Sequence, residues 1–569
     1  KFQNDLPIAH FKDQILYLLK THPVIIIAGD TGCGKSTQVP QFLLHAGYNN
    51  ICCTQPRRIA CISLAKRVSF ETLNEFGNDV AYHVRFDTNK VSHTKILFLT
   101  EGLLLRQFQT DSQLSQYNVI IVDEVHERHL NSDFLLGILK CLIKQRNDLK
   151  IILMSATINA NLFSSYYGGA PLIQVPGRLH PIILEYIPDF VKKDIIMKER
   201  IKFDPIPYVK VLQMIDQKYP SKEGGDLLIF LNGVKEINLV VDACVKYTET
   251  TKNWIVLPIH SNLSLEQQDK VFDYAPEGVR KCIISTNIAE TSLTIDGIRF
   301  VCDSGKVNEM AYNPAVKLRK LVEMWISKSS AEQRKGRAGR TGPGICYRMY
   351  SENDFNDFDE FPIPEIKRAD LNSLVLQMLS LGLNEPLAFS FIEQPEISGI
   401  NCAMKDLKIR KAITPDNKIT ILGRALASLP LEPSVGAILL YGSFLDMVSF
   451  SLIYVAALGI QSPFNSSFSG RVDFRDKFLG DISENFILNC EGDPYLLVKA
   501  FTSWLRIKQS DKSNHSKIWC RKLGIIERRF YDMIQLCNQF KRLLNSLKLT
   551  QKTDIPKDKI RLSKTEEKE

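Results

Sequence analysis

The segment GDTGCGKST, Gly29–Thr37, fits the pattern G-x-x-x-x-G-K-[ST]. The chemistry dictates these residue types. Gly29, Gly32 and Gly34 let the backbone curl, so that loop N–H groups, those of Thr31 and Cys33 among them, point inward at phosphate oxygens. The helix that follows, opening on Lys35, Ser36 and Thr37, adds its N-terminal dipole. Lys35 reaches β- and γ-phosphates, and the Ser36 hydroxyl can hold Mg²⁺. A second segment, IIVDEVHERH (Ile120–His129), pushes two adjacent carboxylates from the end of an apolar run. Beside bound phosphates, Asp123 would hold Mg²⁺, directly or through water, with Glu124 a further candidate ligand, and Glu124 would orient and deprotonate an attacking water. A third, QRKGRAGR (Gln333–Arg340), supplies guanidinium forks that match phosphate geometry. Arg337 and Arg340, three apart, are expected on one face of a helix.

These residues need a scaffold that brings strand ends together. Apolar runs at Pro23–Gly29, Ile51–Gln55, Lys95–Thr100, Val119–Asp123 and Lys150–Ser155 alternate with helical patterns at Lys35–Ala46, Arg57–Leu73, Leu103–Phe108 and Asp133–Ile143. Continuous apolar strands between helices predict an α/β domain whose parallel sheet is covered on both faces. Prolines 171, 176, 181, 205 and 207 mark a break. Alternation then resumes: strands at Leu227–Leu231, Trp254–His260, Arg280–Thr286 and Ile345–Tyr350, helices at Lys235–Tyr247 and Leu265–Phe272. Beyond Phe361 helical periodicity dominates, as in Leu371–Leu381 and Glu527–Leu547, and the Lys- and Glu-rich tail after Thr550 reads as solvated or disordered.

Composition sets outer bounds. The 569 residues suggest about four domains. A net charge of +9 permits a polyanionic partner without requiring one. The 13 cysteines are scattered with no CxxC spacing, which favours reduced thiols in a soluble intracellular protein over a disulfide framework or a zinc ribbon. His126 and His129 lack the neighbouring ligands a metal site of their own would need. The chain starts at Lys1 without a signal peptide and is expected to be a piece of something longer. Ser434–Ile460 is long enough to span a bilayer, with Asp446 its only charge, and reads as two buried helices joined near Gly442.

The ordered set of motifs is far more specific than any one of them. The phosphate loop, TQPRRIACIS (Thr54–Ser63), TEGLLLR (Thr100–Arg106), DEVH (Asp123–His126), SAT (Ser155–Thr157), LIFLNGVKEI (Leu228–Ile237), STNIAETSLTIDGI (Ser285–Ile298) and QRKGRAGR together resemble the DEAH-box RNA helicases of superfamily 2. The resemblance runs from about Asp5 to Leu547. It implies two tandem RecA-like domains (1–180 and 181–352) with ATP between them, a winged helix (353–425), a helical ratchet bundle (426–548) and a charged tail (549–569). It implies that Gln333 positions the water, that Arg337 and Arg340 act as fingers, and that His126, Ser155 and Thr157 couple hydrolysis to domain movement. Arg67 and Phe272 would sandwich adenine and Asp296 would lie near the ribose. Arg57, Arg58, Arg85, Thr100, Arg106, Thr286 and Asn287 would grip single-stranded RNA through phosphates and sugars, without reading sequence. Asn308–Leu318 resembles the family's duplex-parting β-hairpin.

PEIKRADLNSLVLQMLSLGL (Pro364–Leu383), LGRALASLPLEP (Leu422–Pro433), QSPF (Gln461–Phe464) and GDPYLLVKAFTSW (Gly492–Trp504) extend the likeness. Three features depart from it: Val125 where Ala is usual, Ala81 where Gly is usual, and an OB-fold domain that would follow the ratchet beyond this chain's end. DEVH with HERHLNSDFLLG is similar to the branch associated with nonsense-mediated mRNA decay. The implied activity is ATP-driven 3′-to-5′ movement on RNA and remodelling of RNA or its protein complexes, by a monomer in cytoplasm or nucleus, with glycine-patch or other RNP proteins as partners. An ATP-gated RNA clamp, or a helicase of splicing or ribosome assembly, uses the same motifs.

Overall fold

The computed structural model describes residues 5–549 except 31, 74–78, 86, 157–159, 178–179, 189–202, 221–222, 261–262, 264–266, 269, 291–294, 315, 317, 461, 465–492 and 511–514. Thr31, Thr157, Gln461, Gly492 and the charged tail therefore lie outside the described residues.

Among these residues, eight strands form the first sheet: β1 Val24–Gly29, β2 Ile51–Gln55, β3 Val80–Val84, β4 Asp87–Thr88, β5 Ile96–Thr100, β6 Val119–Val122, β7 Lys150–Ser155 and β8 Leu172–Val175. Their order is β4-β3-β5-β2-β6-β7-β1-β8. Every pairing is parallel except β3 with β4. β1, β2 and β6 are buried at every residue, as strands covered on both faces must be. The register aligns the chemistry. Ala28 of β1 pairs with Ser155 of β7, and Val122 of β6 pairs with Leu153. Gly29, Asp123 and Ala156 thus leave the sheet at one edge, the carboxyl ends of the strands, where open α/β sheets bind ligands.

The second sheet holds β9 Ile182–Tyr186, β10 Asp226–Phe230, β11 Trp254–Ile259, β12 Arg280–Ser285, β13 Ile298–Asp303 and β16 Gly344–Arg348, in the order β11-β12-β10-β13-β16-β9, all parallel. Its two faces split by the strand period. Leu227, Ile229, Ile284 and Cys302 pack in one core, Leu228, Phe230, Ile283 and Val301 in the other. Between β13 and β16 the chain forms an antiparallel hairpin, β14 Lys306–Asn313 with β15 Leu318–Trp325, longer on both sides than the sequence suggests. Strands β3, β8, β9 and β13 were not apparent from sequence.

The chain divides into two compact units. The first holds both sheets, the hairpin and residues up to 371, together with 387–399. The second holds the remainder and is helical, with helices at Pro433–Phe444, Val448–Leu458, Asp493–Ser510, His515–Lys522 and Glu527–Ser546. The apolar stretch 434–460 forms two of these helices. The joint lies near Gly442 as expected, at 445–447, where Asp446 takes φ +57°. Gly442 itself is a point of close approach, since a Cβ there would collide with the Ser451 side chain. No single described helix is long and apolar enough to cross a membrane.

Candidate active site

The phosphate loop runs from buried β1 into the helix Lys35–His45. Gly32 and Gly34 take φ of +91° and +95°, a left-handed backbone that would strain any other residue. Cys33 is buried, and the Lys35 ammonium donates back to the loop carbonyls of Gly29 and Asp30. Asp123 leaves β6 fully buried. Its Oδ2 accepts from Gln55 Nε2 at 2.6 Å, its Oδ1 accepts the Glu124 N–H at 2.9 Å, and Ser36 hydrogen-bonds to it. Burial first and Glu124 second push the Asp123 carboxyl up to about 6, against the pull of Ser36, Lys35 and Gln55. Ser36 and Asp123 are hard oxygen donors already in contact, which suits Mg²⁺.

Glu124 stands at φ +54°, a conformation rare outside glycine, which turns its side chain out of the strand. Burial raises its carboxyl to about 7, and Glu127 adds to this. Lys35, Arg337 and Arg57 oppose. All three cations come from other segments of the chain, Lys35 and Arg57 from the first α/β domain and Arg337 from the second. His126 Nδ1 lies 3.5 Å from Glu124 Oε2 and accepts the Ala156 N–H at 3.2 Å, so this nitrogen carries no proton. Burial depresses the imidazole's pKa accordingly. One ring therefore ties the carboxylate strand end to the SAT strand end. Ser155 Oγ is buried without a hydrogen bond among the described residues.

The arginine run differs from expectation in one respect. The helix Lys328–Gly336, capped by Ser327 accepting from the Ser330 N–H, stops before Arg337. Arg337 and Arg340 therefore stand in the turn beyond its end, and the shared helical face does not exist. They converge nonetheless. Burial depresses the Arg337 guanidinium first and neighbouring Arg340 second, against the attraction of Glu124 and Glu290. Arg340 is lowered to about 10 by burial, with Asp296 and Glu124 opposing. Its Nε and Nη1 are buried and make no hydrogen bond among the described residues. Buried guanidinium donors without hydrogen bonds, drawn to the Glu124 carboxylate, form an anion site. Gln333 sits half-buried on the preceding helix.

Several partners escaped the sequence reading. Arg334, fully buried, pairs with Glu290 at 2.9 Å and Asp303 at 2.8 Å and lies against Phe230. Glu290 also accepts from Arg337 through its backbone carbonyl. Glu127 takes Arg57 at 3.3 Å and His129 at 2.7 Å. Gln55, Glu127 and Glu290 all lie inside or beside the quoted motifs, which was the available signal.

The nucleoside and RNA residues are placed less tightly. Arg67 is exposed and paired with Glu71 at 2.5 Å. Glu71 is itself held by Gln38 and Gln41 of the helix that follows the phosphate loop. Phe272 closes a 3₁₀ turn, Lys270–Phe272, is 43% exposed, and shares a cavity of about 270 Å³ with Asp296, Tyr274 and Lys281. Arg58, Arg85 and Arg106 come from three separate segments to one place. Burial lowers the Arg85 and Arg106 guanidiniums, and then Arg58 acts on Arg85 and Arg85 on Arg106. Arg57 is turned to Glu127 instead. Thr100 stands just before the helix Glu101–Thr110 with no capping bond from its side chain, while Thr286 and Asn287 follow the end of β12 on the other sheet. Val125 is fully buried at the strand end, and Ala81 lies buried in β3.

Residues 12–164 match the DEAD/DEAH box helicase family and residues 209–342 the helicase conserved C-terminal domain. The chain belongs to the DEAD/DEAH-box helicases. It is 53% identical over 539 residues to the Mus musculus protein "Probable ATP-dependent RNA helicase DHX34", and 52% identical to the Homo sapiens protein of that name. Each alignment covers 95% of this chain but 46% of the relative, so the chain spans about half the length of the curated relatives it matches. In DEAD/DEAH-box terms, the first α/β domain carries the phosphate loop and acidic pair, and the second carries the arginines that face them.

Proposed function

We propose that this chain is the motor of an ATP-dependent RNA helicase, moving 3′-to-5′ along single-stranded RNA and remodelling RNA or its protein complexes. The observation that carries this is the meeting of Glu124 with Arg337 and Arg340 across two α/β domains. Lys35 and the loop amides bind the phosphates, and Ser36 and Asp123 would hold Mg²⁺, which would offset negative charge on them. Glu124, with a carboxyl near 7, is matched to taking a proton from water at neutral pH, with Gln333 orienting that water. Arg337 and Arg340 stabilise charge that develops on the transferred phosphoryl group. His126 relays the state of Glu124 to the Ser155–Thr157 segment. Arg58, Arg85 and Arg106 form a repelling cationic cluster that a phosphate backbone would relieve. Arg57, Thr100, Thr286 and Asn287 complete the RNA path, with Arg67, Phe272 and Asp296 around the nucleoside.

The likeness to two proteins named as RNA helicases supports RNA as the substrate. Direction of travel, a role in mRNA quality control, cytoplasmic or nuclear residence, monomeric state and glycine-patch or RNP partners rest on the family resemblance. The deciding experiment is steady-state ATP hydrolysis with and without single-stranded RNA, for the wild type and Glu124→Gln. RNA-stimulated turnover that Glu124→Gln abolishes, with ATP binding retained, supports the motor. Equal slow turnover in both, with ATP-analogue-dependent RNA binding, sinks it in favour of a clamp.

A further inference from the structure

The loop that carries Glu124 and the hairpin β14–β15 belong to different α/β domains, yet one short segment holds both. Residues Pro364–Asp370 contain a single helical turn, Glu365–Arg368. At its start the Glu365 N–H donates to Arg128 O at 3.1 Å, and Glu365 Oε2 accepts the Leu130 N–H at 2.8 Å. The same oxygen lies 3.4 Å from His129 Nδ1, whose other nitrogen is 2.7 Å from Glu127. Arg128 and Lys367 converge on Glu393. At its far end Arg368 lies 3.1 Å from Glu309 and donates to Met310 O at 3.1 Å, both on β14. Asp370 takes Arg319 of β15 at 2.7 Å.

Both hairpin strands and the residues just past Glu124 are thus gripped by one turn of chain. The grip at both ends is largely charge-assisted and so directional, while the buried Ile366 anchors the turn between them. Displacement of the first domain's loop relative to the second domain has to be taken up by this strap or passed to the hairpin.

We propose that Pro364–Asp370 couples the nucleotide state of the Glu124–Leu130 loop to the hairpin, with Glu365 and Arg368 as positioning residues at its two ends. The inference rests on the motor reading, since it assumes that the loop responds to nucleotide. It is tested by amide hydrogen exchange of hairpin residues Val307–Asn313 in the full chain, with and without a non-hydrolysable ATP analogue and Mg²⁺. In the wild type the analogue is expected to change hairpin exchange at least about threefold. Arg368→Ala should remove that nucleotide dependence, and Arg368→Lys, which keeps a charge toward Glu309 and a donor for Met310 O, should restore part of it. A strap that is only structural would speed exchange equally with and without analogue in Arg368→Ala, and that result overturns the proposal. So does a wild-type hairpin indifferent to the analogue. RNA-stimulated ATP turnover of the same wild-type sample reports on the motor reading separately. Turnover with no hairpin response rejects the strap alone, and absence of both rejects the two together.

Discussion

The two α/β domains prepare opposite charges by opposite means. In the first, the chemistry sits on strand ends: register places Gly29, Asp123 and Ala156 at one edge, and burial then lifts the carboxyls of Asp123 and Glu124 to about 6 and 7. In the second, the chemistry sits past the end of a helix, and neighbouring acids are spent on scaffolding. Arg334 takes up Glu290 and Asp303, while Arg340 keeps donors without a hydrogen bond among the described residues and burial lowers its guanidinium to about 10. Each half is strained alone and relieved by the other. A protein can therefore hold a phosphoryl-transfer site inactive simply by keeping its halves apart.

The sharpest way to break the pairing is to remove a cation. Arg340→Ala should lower RNA-stimulated ATP turnover about a thousandfold, the lower end of what a finger arginine contributes. Its KM for ATP should change much less, which steady-state kinetics would reveal. Removing the acid, as Glu124→Gln, should cost about a hundredfold or more, within the range for a general base. Stopped-flow binding of a fluorescent ATP analogue should remain near wild type.

The scaffolding role of Arg334 predicts a different kind of loss. Arg334→Met strips buried Asp303 of its counter-charge, leaving the Tyr350 hydroxyl and the Gly305 N–H as its donors, and should cost about 3–5 kcal/mol in urea unfolding. Loss of turnover without that destabilisation would move Arg334 from scaffold to catalyst and blur the contrast drawn above.

The smallest expected effect is a pH dependence on the alkaline side, from His129 in the first domain. Burial lowers the His129 imidazole, but Glu127 and Glu365 outweigh it and raise it to about 10. A folded value above the unfolded one means the stabilisation is fully present below about pH 6.5 and is lost as pH rises through 10. Because the ring is 37% exposed, the effect should be at most about 1 kcal/mol. Unfolding free energy measured from pH 6 to 10 should therefore fall slightly more steeply for the wild type than for His129→Gln.

Local chemistry was legible in the sequence, and long-range partnership was not. The phosphate loop and the acidic pair announce themselves because a glycine curl or a strand-end carboxylate is encoded by adjacent residues. Gln55 bonding Asp123, or Glu290 holding Arg334, joins residues tens of positions apart, with no spacing rule to find them. Strands β8 and β9 were hidden by Pro171, Pro176 and Pro181, which read as a break when they in fact punctuate two short strands. The helix expected to run through Arg340 ends early, at Gly336. Gly339 beyond it fits only because it lacks a Cβ, which would press on His180 O and Ile182.

That punctuation has a consequence for the encounter of the two charge sets. β8 closes the first sheet at Val175 and β9 opens in the second at Ile182, so residues 176–181 alone link them. A tether this short sets a local concentration of the second domain around the first in the millimolar range or above. Meeting of the arginines with the carboxylate is then a first-order event, independent of how dilute the protein is. Turnover per molecule should stay constant across any range of enzyme concentration, and free second domain added in trans should compete poorly with the one already attached.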